Sequence, residues 1–192
     1  MYDDSQMICI TNRHICKGDF LDRIREVVLR KPRAVILREK DLTAEEYADL
    51  ALKVSKICSD AGIMCIYHTF IETAICHGVR QIHLPLPLLQ SMTDEDKSHF
   101  DVIGVSCHSR TEAIEAQSLG ATYIIAGHVF DTDCKKGLPG RGLSFLQEVV
   151  DAVDIPVYGI GGITESNLKE VLQTGAKGGC MMSGFMASDK SF

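Results

Sequence analysis

Short apolar runs recur along this chain, and segments with helical amphipathic spacing separate them. The runs are Met7–Thr11, Ala34–Leu37, Ile63–Tyr67, Gln81–Leu84, Val102–Ser106, Thr122–Ala126, Pro156–Ile160 and Gly178–Ser183. Strands buried on both faces read as continuous apolar runs rather than alternating ones, and most of these do. The intervening segments carry helix punctuation. Thr43-x-x-Glu46 is a capping box that opens an amphipathic stretch to Ser59, with Gly62 as its stop. Ser109-x-x-Glu112 repeats the pattern and ends at Gly120; Ser144-x-x-Gln147 opens another helix, and Thr164 opens one that ends at Gly175.

Eight strand-then-helix units in one chain predict an α/β fold, a single compact (β/α)8 TIM barrel over residues 1–192 with a short C-terminal helix after Ser183. At 192 residues the chain is shorter than a typical barrel of about 250, so its loops must be short. An open doubly wound sheet is the runner-up. It needs a dinucleotide-type glycine turn after the first strand. The residues there, Asn12-Arg13-His14-Ile15-Cys16-Lys17-Gly18, do not supply one.

Composition narrows the function classes. A net charge of −6 and the absence of a basic run argue against nucleic acid as a partner. No apolar stretch approaches the roughly 20 residues that span a bilayer, so no membrane partner is expected. The eight cysteines form no C-x-x-C pair, and Cys9, Cys65, Cys107 and Cys180 lie in or at the end of apolar runs, as reduced, mostly buried thiols of a cytoplasmic protein would. Neither cysteine nor histidine spacing suggests a metal site, and no cofactor is expected.

In a barrel, active-site residues lie at the C-terminal ends of the strands. Here these are Asn12, Arg38 and Lys40, His68, Pro85, Ser106, His128, Gly161 and Gly162, and Ser183 and Gly184. Arg38 and Lys40 are two apart, so both can face the mouth and bind an anion; a solvated charge pair balanced by Glu39 is the alternative. His128 follows an apolar strand and precedes a glycine-rich loop with Lys135 and Lys136; imidazole can both take and give a proton near neutral pH. A structural histidine is the bland alternative. Ser106 has no nucleophile-elbow context and reads as a hydrogen-bond donor. His83, among apolar residues, reads as structural. The loops holding Gly162 and Ser183-Gly184 follow the last two strands, where barrels commonly bind phosphate; tight turns that need glycine for steric reasons are the alternative.

The phrases Leu37-Arg38-Glu39-Lys40, Ile82-His83-Leu84, Ile103-Gly104-Val105-Ser106-Cys107-His108, Gly127-His128-Val129-Phe130-Asp131-Thr132-Asp133-Cys134-Lys135-Lys136-Gly137, Ile160-Gly161-Gly162-Ile163 and Ser183-Gly184 resemble, in order and over nearly the whole chain, the thiamine-phosphate synthase/TenI superfamily. The resemblance implies a phosphate-binding barrel, with a homodimer as its common assembly. The synthase branch joins a pyrimidine diphosphate to a thiazole phosphate and uses magnesium. Its pattern has a glutamine where this chain has Ile36, magnesium-binding aspartates where it has Thr69 and Leu88, and Gly-Pro where it has Gly127-His128. A hard cation needs oxygen ligands, which Leu88 cannot supply.

These departures resemble the TenI branch, which implies a cofactor-free thiazole tautomerase, an isomerase of thiamine biosynthesis. The expected substrate is a small phosphorylated thiazole, the ylidene carboxythiazole ethyl phosphate, which becomes aromatic by a proton shift. His128 is then the catalytic acid/base. Arg38, Lys40, Ser106, Lys135, Gly162, Ser183 and Gly184 are the substrate-binding residues. A divergent thiamine-phosphate synthase and a non-catalytic thiazole-phosphate-binding regulatory protein are the alternatives.

Overall fold

The computed structural model describes residues 4–132 and 137–187. Eight parallel strands pair in chain order as a closed barrel: β1 (Met7–Ile10), β2 (Ala34–Leu37), β3 (Met64–His68), β4 (Gln81–Pro85), β5 (Val102–Cys107), β6 (Tyr123–Gly127), β7 (Val157–Ile160) and β8 (Gly178–Met181). The helices are α1 (Phe20–Leu29), α2 (Ala44–Asp60), α3 (Ile71–Cys76), α4 (Leu86–Ser91), α5 (Asp94–Ser98), α6 (Arg110–Ser118), α7 (Gly142–Val150), α8 (Leu168–Gln173) and α9 (Ser183–Met186). The expected TIM-barrel class is observed, and α9 is the short C-terminal helix. Among the described residues, no helix is long and apolar enough to cross a membrane.

Two compact units make up the chain: Met1–Ile82 with Met181–Phe192, and His83–Cys180. In the first, every residue of β1 and β2 is buried, which is why both read as uninterrupted apolar runs. Helix α2 begins with the expected capping box: the Thr43 hydroxyl accepts from the Glu46 amide, and the Glu46 side chain accepts from the Thr43 amide. It lays Tyr47, Ala51, Val54 and Cys58 on its buried face. Tyr47 clasps two strands. Its hydroxyl donates to the Leu37 carbonyl at 2.8 Å and accepts from the His68 amide at 2.9 Å. Both groups sit where the strand ladders run out, so one side chain satisfies backbone that would otherwise be orphaned.

In the second unit, β5 and β6 pair with Gly104 beside Tyr123, and β6 and β7 with Gly127 beside Ile160. Gly104 is required by packing: a Cβ there would lie 2.0 Å from Cζ of Tyr123. Two helix starts differ from expectation. Helix α7 begins at Gly142, before Ser144, with no side-chain cap. Helix α8 begins at Leu168, because Thr164 is held in a preceding turn by the Asn167 side chain, which accepts from the Thr164 amide at 2.8 Å.

Seven cysteines among the described residues are free thiols, and Cys9, Cys58, Cys107 and Cys180 are buried. Burial pushes the Cys107 thiol up to about 12, helped by the nearby Glu112 and Glu115 carboxylates. Fully buried Cys9 and Cys107 pack as small hydrophobes.

Candidate active site

The first unit presents its cations by anchoring the acid between them. Glu39 is only 2% exposed. Its carboxylate accepts from the Thr11 hydroxyl at 2.7 Å, from the Arg13 amide at 3.1 Å and from the Arg13 guanidinium at 3.2 Å. Its alternating neighbours Arg38 and Lys40 stay more open, Arg38 half-buried and Lys40 exposed. The Arg38 amide donates to the Thr11 hydroxyl at 2.9 Å, so Thr11 bridges the two residues. Partial desolvation, and then the like charge of Arg38, holds the Lys40 ammonium below its usual range. Two adjacent cations whose intervening acid is already committed suit an anionic ligand. Asp41, the next acid, is likewise taken, by Arg13 and by the His14 ring at 2.9 Å.

Ser183 and Gly184 open α9. The Gly184 carbonyl accepts from Arg30, whose guanidinium also pairs with Asp4 at 2.6 Å and lies 4.4 Å over the Phe185 ring. The Asn12 amide reaches the Met182 sulfur at 3.6 Å.

In the second unit, His128 follows β6 on a cis Gly127–His128 peptide bond and is nearly buried, at 9% exposure. A carbonyl can only accept, so the ring donates from Nε2 to the Leu138 carbonyl, at 3.3 Å. The segment after His128 lies against the turn that follows β7. The Val129 amide donates to the Ile160 carbonyl at 2.8 Å and the Phe130 amide to the Gly161 carbonyl at 3.0 Å. Gly161 and Gly162 have φ of +99° and +63°. A Cβ on Gly161 would stand 2.4 Å from the His128 Cβ, and one on Gly162 would stand 2.5 Å from the Asp131 carbonyl oxygen. Close packing by itself therefore requires both glycines, and the structure brings His128 and the Gly162 turn together. Arg141 also holds this segment. Its amide donates to the His128 carbonyl at 3.1 Å and its guanidinium to the His108 carbonyl.

Ser106 bonds elsewhere. Its hydroxyl is 2.8 Å from Nε2 of His83, and Nδ1 of His83 is 3.0 Å from the Tyr123 hydroxyl. Sequence reasoning treated His83 as structural and overlooked Tyr123. Their signal was available: a polar residue inside each of β4 and β6, with Gly104 opposite Tyr123. Lys135 lies outside the described residues.

With that geometry established, the comparisons decide the family. A family described as thiamine monophosphate synthase matches residues 7–185. The chain belongs to this family. It is 33% identical to the thiamine-phosphate synthase of Clostridium acetobutylicum over 97% of this chain and 90% of that one. It is also 33% identical to that of Methanosarcina barkeri over 87% of this chain and 76% of that one. A solved structure, thiamine phosphate pyrophosphorylase from Pyrococcus furiosus, aligns with a TM-score of 0.83 at 27% identity, covering 97% of this chain and 90% of that chain. FabK from Thermotoga maritima, at 16% identity and a TM-score of 0.71 over 96% of this chain and 60% of that chain, shares the fold alone.

These relatives correct the expected activity. The tautomerase reading rested on a few positions: Ile36, Thr69, Leu88 and Gly127-His128. The similarity to proteins named thiamine-phosphate synthase runs nearly end to end. It supports an enzyme family and thiamine biosynthesis, and it does not support an isomerase.

The magnesium that the synthase branch implies finds no protein-held site in these residues. Thr69 offers a neutral hydroxyl, which donates to the His68 carbonyl at 2.6 Å, where the synthase pattern has a carboxylate. Leu88, on α4, offers only carbon. Among the described residues, no three His, Cys, Asp or Glu side chains are grouped to hold a metal ion.

Proposed function

We propose that this protein is a thiamine-phosphate synthase-type transferase, joining a phosphorylated thiazole to a pyrimidine diphosphate with release of diphosphate. The observation that carries the reading is the 33% identity to a thiamine-phosphate synthase across 97% of the chain. Each substrate is a phosphate ester, so cations and backbone amides are the groups suited to it. Arg38 and Lys40, with Glu39 and Asp41 both engaged, neutralise the diphosphate as it leaves. Ser183, Gly184 and Gly162 are the proposed phosphate-binding residues. Ser106 donates a hydrogen bond to substrate. Lys135 is a further binding candidate by resemblance.

His128 is the proposed proton-handling or orienting residue. Its Nε2–H is committed to the Leu138 carbonyl, so exchange with a ligand runs through Nδ1. No step is assigned to magnesium.

The test is direct. Purified protein is given both substrates, with and without magnesium, and thiamine phosphate and diphosphate are measured. Equal yields of the two products support the transferase. One observation favours a second reading, binding of the thiazole phosphate without transfer: Thr69 and Leu88 stand where the synthase pattern has aspartates. Calorimetric binding of the thiazole phosphate with no product under any condition would select that reading instead.

A further inference from the structure

Three residues on neighbouring strands form a hydrogen-bonded chain inside the second unit: Tyr123 on β6, His83 on β4 and Ser106 on β5. Tyr123 is 6% exposed and His83 2%. The phenol ring is fixed on two sides. It fills the space left by the missing side chain of Gly104, and it meets Tyr158 edge to face at 6.0 Å.

The direction of the chain follows from who can accept. Among the described residues, the only hydrogen-bond partner of the Tyr123 hydroxyl is Nδ1 of His83. A buried hydroxyl proton left undonated costs about 1–3 kcal/mol. Burial also keeps Tyr123 protonated, with its pKa well above the usual tyrosine value. The phenol therefore donates to Nδ1. A neutral imidazole then carries its proton on Nε2 and donates it to Oγ of Ser106. Ser106 thus has one lone pair filled by His83, and its own proton is left to be given to another group.

We infer that His83 is a positioning residue: held by Tyr123 with its proton on Nε2, it makes Ser106 a hydrogen-bond donor toward an acceptor oxygen or nitrogen of the bound substrate. The inference rests on the proposal that Ser106 meets substrate. It also gives a reason for two buried polar side chains in an otherwise apolar interior, since a partly satisfied polar network would destabilise the barrel.

Two measurements test it. Long-range ¹H–¹⁵N correlation of the imidazole rings, with His83 assigned by its loss in His83→Gln, is expected to show unprotonated Nδ1 and protonated Nε2. A proton on Nδ1 overturns the inference. Calorimetry with the thiazole phosphate and the pyrimidine diphosphate, taken separately, reads the second half. His83→Ala is expected to weaken one of the two about three- to tenfold. His83→Gln, whose amide can donate where Nε2–H does, is expected to recover most of that loss at an unchanged melting temperature. No loss in the alanine variant, or equal loss in two folded variants, overturns the positioning role. If the unmodified protein binds neither substrate, the proposed function fails and the substrate half of the inference falls with it, while the nitrogen measurement still decides the state of His83.

Discussion

The Thr11 hydroxyl donates to the Glu39 carboxylate at 2.7 Å and accepts from the Arg38 amide at 2.9 Å, so one small side chain fixes the acid and the base that follow β2. Thr11→Val keeps the shape and removes both bonds. It is expected to destabilise the protein by about 1–3 kcal/mol, because a carboxylate and an amide each lose a buried partner. Urea unfolding measures this, and a loss below about 0.5 kcal/mol would count against Glu39 as an anchor.

Arg38→Ala is expected to weaken binding of the pyrimidine diphosphate about tenfold. The difference from the unmodified protein should shrink as salt is raised, since the group is half-buried and still screened. Calorimetry at two ionic strengths gives both numbers. A salt-independent loss would indicate a packing role.

Asp41 carries a pH signature. Hydrogen bonds from the Arg13 guanidinium first, and then from His14, hold its carboxyl well below the usual carboxylate range. A depressed acid contributes stability fully above its unfolded pKa, near 4, and loses it as pH falls through the folded value. Asp41→Asn should therefore melt at a lower temperature at about pH 6, with the gap closing below about pH 4. Melting curves across that range check the sign; a gap that widens in acid would be the wrong one.

The thiols should differ in reactivity. Iodoacetamide at mildly alkaline pH is expected to label exposed Cys76 well before Cys9 and Cys107, whose thiols burial pushes up. Peptide mapping over time orders them. Early modification of Cys107 would show that its strand opens.

The barrel was legible because strands buried on both faces leave continuous apolar runs, and each of the eight expected runs overlaps an observed strand. Helix starts were legible where a side chain caps, at Thr43 and Ser109, and were misplaced at Ser144 and Thr164, where the helices start elsewhere without a side-chain cap. Glu39 looked like a solvated counter-charge, since nothing in its local sequence announces Thr11, 28 residues away, as its partner. The Tyr123–His83–Ser106 chain escaped notice for the same reason: its members meet only once the strands are laid side by side. The activity was misjudged because a few substituted positions were weighed above similarity spread along the whole chain.

Gly161→Ala tests the packing behind His128. The added Cβ meets the His128 Cβ at 2.4 Å, on a backbone with φ of +99°, and should cost at least about 1–3 kcal/mol. Thermal melts would reveal it.

That contact has a bearing on how this protein can be redesigned. The stretch from Gly127 to Asp131 and the turn from Ile160 to Gly162 share two backbone hydrogen bonds and leave no room for a methyl group between them. They behave as one cassette. A graft that imports a relative's residues into only one of them would carry a mismatched half, whereas moving both together transplants the histidine with its own mould.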